Sequence, residues 1–175
     1  MNPLDSAVEP CRLDTLICFS DIVSFTAFAR ATADPVELFR LLSGLASMEA
    51  AELGGSSGRI VKFYGDSSLI LFPGSDADEG VRLLLRLKGA MERHLEEHGA
   101  KCSVRFQLHV GDVAVGRFGD TGAIDVIGDE VNTTARLGRR EDRFVISPQL
   151  FRRLKPPTRK LFHKFTPPIV YVAES

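Results

Sequence analysis

The sequence predicts an α+β domain: a ferredoxin-like, split βαβ antiparallel sheet with helices packed on it. Three observations carry that reading. Apolar residues switch between a strand period and a helical period along the chain, and through Leu108 the segments run strand, helix, strand, strand, helix, strand. The middle two strands are joined by Gly65-Asp66, a pair suited to a tight hairpin. Finally, 175 residues with 44% hydrophobic and 26% charged side chains suffice for one substantial core and not for two comfortable domains.

Each element has a local cause. Residues 1–12 are a lead-in, with two prolines and two acids in the first ten positions and a loose conformation expected, and residues 13–175 form the domain. Leu16 to Phe19 is an apolar strand that runs into Ser20 and Asp21. Asp34-Pro35-Val36-Glu37 combines a capping residue, a first-turn proline and an acid, and opens a helix whose stripe is Leu38, Leu41, Leu42, Leu45 and Met48. Arg59 to Phe72 makes the hairpin. Asp76 is placed to cap a second helix, with Val81, Leu84, Leu85, Met91 and Leu95 on one face. Val104, Phe106, Leu108 and Val110 alternate with polar residues as a half-buried strand, which Gly111-Asp112 is expected to turn back into Val113 to Val115. His109 in that strand reads as structural, because no second His or Cys stands at a useful ligand spacing. A turn-rich Gly116 to Gly122 precedes a strand at Ala123 to Ile127, and Asp129 is placed to cap a helix carrying Asn132 and Arg136 on one face. A strand at Phe144 to Ile146, a short helix opened by Ser147-Pro148 and a closing strand pair complete the chain.

Charge and cysteine content narrow the function classes. A net charge of −1 and a pI near 6.4 argue against a nucleic-acid surface. Cys11, Cys18 and Cys102 are odd in number and lack ligand spacing, so free thiols in a reducing compartment are expected. No run reaches membrane-spanning length and the N-terminus lacks the pattern of a signal peptide. A cytoplasmic location follows as an expectation.

The chemistry gathers around Thr15 to Arg30. Asp21 ends the first strand, and Ser24 and Thr26 offer helix-start chemistry where free backbone N–H groups can face phosphate oxygens. The hairpin tip carries a second acid, Asp66, and the split βαβ order lays the hairpin beside the first strand. Two adjacent carboxylates repel unless something positive sits between them. Magnesium or manganese with a nucleoside triphosphate would satisfy both acids; two unrelated turn acids are the alternative.

Four segments, FSDIVSFT, KFYGDSSLILF, LHVGDVAVG and DVIGDEVNTTARL, resemble the successive signatures of the class III nucleotide cyclase catalytic domain, in order and spacing from about Leu13 to Leu137. The resemblance implies that Asp21 and Asp66, assisted by the Ile22 carbonyl, hold two divalent ions, Mg2+ or Mn2+. It implies that Phe25 and Thr26 lie at the phosphate-binding turn, that Lys62 and Asp125 read the purine, and that Asn132 and Arg136 stabilise the transition state. A lysine can donate to adenine N1 and an aspartate can accept from its 6-amino group, whereas guanine presents the opposite pattern. The pair therefore favours ATP as substrate and cyclic AMP as product. In the resembling family the metal acids of one subunit face the purine and transition-state residues of another, which implies a head-to-tail homodimer with shared sites.

Departures from the family pattern are visible. Ser24 stands where a glycine is common, Gly116 to Asp125 is slightly short, Gly138 to Arg143 is compressed, and a Lys-Gly loop is absent, with Lys164 a weak substitute. The alternatives are a catalytically silent nucleotide-binding regulatory module and a cyclase acting on GTP. A diguanylate cyclase would need a Gly-Gly-Asp/Glu-Glu-Phe hairpin, and Tyr64 to Ser68 differs from it.

Overall fold

β1 (Cys11–Val23) and β4 (Ser103–Phe118) are the long central strands of the computed structural model, paired antiparallel from Cys11↔Val115 to Val23↔Ser103. The structure describes residues 2–7, 9–137, 143–166 and 168–173. Around the central pair, α1 (Phe25–Ala31), α2 (Pro35–Leu53), β2 (Arg59–Tyr64), β3 (Ser67–Pro73) and α3 (Ala77–Glu97) complete the split βαβ unit. The C-terminal part adds β5 (Ala123–Ile127), α4 (Asp129–Ala135), β6 (Phe144–Ile146), α5 (Pro148–Arg153), α6 (Pro156–Arg159), β7 (Phe162–Phe165) and β8 (Val170–Ala173). The sheet order is β2-β3-β1-β4-β6-β8-β7, with β5 also paired to β4. The predicted α+β, ferredoxin-like arrangement is therefore the one observed.

Strand alternation divides the core in two. Leu16, Cys18, Ile70, Phe72, Val104, Phe106 and Leu108 face α2 and α3, while Ile17, Leu69, Leu71, Val113 and Val115 form a second cluster on the other face. Leu4 and Ala7 are buried in that second cluster, and Asp5 pairs with Arg59. The described part of the segment before β1 is thus packed at Leu4 and Ala7, not loose, because the back of the sheet is apolar and needs a cover. Val131 of α4 packs on the same cluster, so this helix lies on the face opposite α2 and α3.

Two cap assignments and one turn are corrected. Asp34 does accept from the Val36 N–H, and Ser147 from the Leu150 N–H. Asp76 does stand at the N-cap of α3, but its carboxylate accepts from the Ser75 hydroxyl and makes no cap bond, and the residue preceding α4 is Gly128, with Asp129 already in the first helical turn. Gly111-Asp112 makes no turn: both residues pair with Thr15 and Asp14, because β1 is long enough to template β4 without a break. Gly111 serves close packing, since a Cβ there would stand 2.7 Å from Cγ of Glu130 on α4. The reversal comes at 119–122, where Gly119 and Gly122 both have positive φ. Most of the compressed Gly138 to Arg143 segment lies outside the described residues.

Candidate active site

The two acids meet as the sheet order requires. β1 and β3 pair from Thr15↔Pro73 to Ser20↔Ser68, and just past that pair come Asp21, which does not end β1 because the strand continues to Val23 against β4, and Asp66, in the turn before β3. Gly65, at φ 63°, supplies the left-handed turn that aims Asp66 back toward β1. Burial pushes the Asp66 carboxyl above its ordinary value; its own backbone N–H counters this, the Asp21 charge adds to it, and the Ile22 N–H opposes it. Asp21 has a partner that the sequence reading missed. Arg105, directly across β4, donates from Nε to Oδ1 at 2.7 Å and from a terminal nitrogen to Oδ2 at 3.0 Å. Only the Asp21↔Arg105 register could have revealed it.

The phosphate-turn residues open α1. Ser24 precedes it with φ 71°, the one positive-φ residue other than glycine among those described, and its carbonyl accepts from the Ala27 and Phe28 N–H groups. Thr26 is exposed in the first turn, and Phe25 packs toward the core at 6.2 Å from the Phe28 ring. The left-handed conformation explains why glycine suits this position.

Lys62 and Asp125 meet although sixty-three positions separate them. Lys62 Nζ donates to Asp125 Oδ2 at 2.6 Å, and this bond is the main reason the Lys62 pKa is raised. A register shift between Ile60 and Lys62 adjusts β2 at this point, and the β4–β5 hairpin brings Asp125 to it. Phe63, Tyr64 and Ile127 beside the pair are exposed.

Asn132 and Arg136 line one cleft of about 650 Å3 with Asp129, Thr133 and the β7–β8 connection at Pro168 and Ile169. α4 ends at Ala135, so Arg136 is its C-terminal flank, yet the shared face holds. His109 anchors the helix from below: its Nε2 lies 2.6 Å from Oε2 of Glu130. The structural reading of His109 agrees with this contact. The cleft contains neither Asp21 nor Asp66. Lys164 is exposed in β7 opposite Tyr171.

A family model for the adenylate and guanylate cyclase catalytic domain matches residues 12–165. This chain belongs to that family. The cyclase domain is 29% identical over 131 residues to an adenylate cyclase of Anabaena cylindrica, a match covering 69% of this chain and 26% of the relative. It is 29% identical over 161 residues to adenylate cyclase 2 of Rhizobium meliloti (strain 1021), covering 85% of this chain and 44% of the relative. The chain therefore spans less than half the length of these two curated relatives. Among solved structures, a bacterial light-regulated adenylyl cyclase superposes with a TM-score of 0.81 at 22% identity over 95% of this chain and 53% of the other. The adenylyl cyclase CyaB from P. aeruginosa gives 0.77 at 22% identity, covering 96% and 97% of the two chains. The guanylyl cyclase Cya2 gives 0.78 at 19% identity, covering 94% and 93%. Adenylyl and guanylyl cyclases share this fold, so these likenesses speak to architecture and leave the base preference to the side chains.

Divalent metals are general in the family, and the chain's donor set can be tested against them. Among the described residues no cluster of three or more His, Cys, Asp or Glu is arranged around one point. Two carboxylates and a backbone carbonyl are hard oxygen donors, and the Asp66 carboxyl, raised first by burial, also feels the Asp21 charge, so the two acids stand close together. The chemistry of these donors fits a magnesium-type ion. Among the described residues, no helix is long and apolar enough to cross a membrane.

Proposed function

We propose that this cyclase domain converts ATP to 3′,5′-cyclic AMP and pyrophosphate at sites shared between two copies of the chain. The observation that carries the base preference is the 2.6 Å Lys62–Asp125 bond. Donor and acceptor already stand side by side, as adenine N1 and its 6-amino group would require, and guanine would meet a donor with a donor.

Asp21, Asp66 and the Ile22 carbonyl would hold two divalent ions, whose charge lowers the cost of forming the ribose 3′-oxyanion and offsets that of the triphosphate. Backbone N–H groups at Phe25 and Thr26 would face the phosphates. Arg105, once Asp21 turns to the ions, would have its guanidinium free for the polyphosphate. Asn132 would orient the ribose. The 3′-hydroxyl gives its proton to solvent water, the bond from O3′ to the α-phosphorus forms as the bond to pyrophosphate breaks, and Arg136 would add fixed positive charge at that phosphorus while its charge grows.

The separation of the residue sets supports the shared site. Asn132 and Arg136 line a cleft without the acids, and the Lys62–Asp125 pair is flanked by exposed Phe63, Tyr64 and Ile127, apolar surface suited to a second copy. A head-to-tail homodimer would place the acids of one protomer against the base-reading and transition-state residues of its partner. Purified protein with Mg2+ or Mn2+ should form cyclic AMP from ATP in preference to cyclic GMP from GTP. A preference for GTP would overturn the base assignment, and nucleotide binding without any cyclic product would identify a silent module.

A further inference from the structure

Glu49 is a buried carboxylate that the mechanism above does not use. It occupies a position in α2 where the spacing Leu41, Leu45, Leu53 asks for another leucine, and it is only 3% exposed. Its Oε1 accepts from the hydroxyls of Ser20 and Ser68, both at 3.2 Å, and these hydroxyls lie 2.7 Å apart. Its Oε2 is buried without a hydrogen-bond partner among the described residues. Burial pushes its carboxyl above the ordinary value, with the two serine hydroxyls opposing. A well-packed leucine would stabilise the core better than a half-satisfied carboxyl.

The placement gives this cost a use. Ser20 and Ser68 are the last pair that β1 and β3 make with each other; Asp21 follows Ser20 within β1, and Asp66 lies in the turn just before β3. A cavity of about 20 Å3 has Glu49, Ser68, Asp66 and Ile22 in its lining, so it lies between the buried carboxyl and Asp66. Beyond the Ser20↔Ser68 pair β1 and β3 no longer hold each other: Asp21 keeps its β4 partner Arg105, and the spacing of the two strands near the acids is set at that last shared pair. Glu49 supplies an anchor from a different element.

We infer that Glu49 is a positioning residue: it ties the ends of β1 and β3 to α2 from within the core and thereby sets the placement of Asp21 and Asp66 for divalent-cation binding. The inference rests on reading those two residues as metal acids. Glu49→Leu would remove the tie while filling the same space, and Glu49→Gln would keep an acceptor oxygen for the serines.

The test measures Mn2+ binding by electron paramagnetic resonance on the full chain with the non-cyclising analogue α,β-methylene-ATP, beside thermal melting. Glu49→Leu should melt no lower than wild type yet bind Mn2+ roughly 10–100-fold more weakly, whereas Glu49→Gln should stay close to wild type. Unchanged Mn2+ binding in Glu49→Leu, or equal losses in both variants, would overturn the inference. Should Glu49→Leu fail to fold, the Ser20→Ala/Ser68→Ala double variant decides: weakened Mn2+ binding supports the tie and wild-type binding overturns it. Wild-type protein that binds no Mn2+ overturns the metal reading and this inference with it, a result distinct from wild-type binding with unaffected variants.

Discussion

Arg105 holds both carboxylate oxygens of Asp21, at 2.7 and 3.0 Å, directly across the β1–β4 ladder. The same carboxylate is the one proposed to bind metal, so the guanidinium and the cation compete for it.

That competition predicts a split. Arg105→Leu should tighten Mn2+ binding measured without nucleotide, because the competitor is gone, and should raise KM for ATP several-fold, because the polyphosphate loses a cation. Titrations of Mn2+ and of ATP on the same preparation check both signs. Weaker Mn2+ binding would mean that Arg105 supports Asp21 and does not compete with it.

Shared sites predict complementation. Asp21→Ala and Arg136→Ala should each be inactive as pure preparations, the first through lost metal, the second through a lower kcat at little-changed KM. After subunit exchange a mixed dimer holds one site with both defects and one with neither. Random pairing should restore about a quarter of wild-type turnover. A mixture that exchanges and stays dead would refute the shared site.

Base choice should follow the Lys62–Asp125 pair. Lys62→Glu with Asp125→Ser should lower kcat/KM for ATP and raise it for GTP, shifting the ratio by roughly tenfold or more, since unmatched polar groups in such a site are costly. Parallel assays with both nucleotides read the ratio.

Ser24 has φ 71° with no side-chain cap bond. A left-handed conformation costs a non-glycine residue on the order of 1 kcal/mol, so Ser24→Gly should raise the melting temperature by roughly 2–4 °C. Calorimetry on the two proteins tests it.

The Glu49 carboxyl holds its proton more tightly in the folded chain than in the unfolded one, where it titrates near 4.5. Its contribution is full below that value, falls as pH rises toward the raised folded value, and is constant beyond it. Glu49→Gln should therefore match wild type at low pH and become the more stable protein across that window. Urea unfolding at stepped pH measures the difference, with Asp66, itself raised by burial, common to the two proteins.

What was legible in the sequence was local. The Asp34-Pro35 start of α2 and the Gly65-Asp66 hairpin arise from contacts within a few residues, so neighbouring letters suffice to read them, and the apolar run Phe144–Ile146 reads as a strand from its own residues although its partners are distant. The strand and helix order also brought Asp21 beside Asp66, because the split βαβ connection leaves few other pairings. Gly111-Asp112 looked like a turn for the same local reason, and β1 overruled it by pairing straight through. The tertiary structure alone decided the rest. Arg105 lies eighty-four positions from Asp21 and Glu49 lies in an otherwise apolar helix stripe, and neither carries a local signal. Their roles come from strand register and from the packing of α2 beneath it, and both are set by burial of the whole core, not by any single segment.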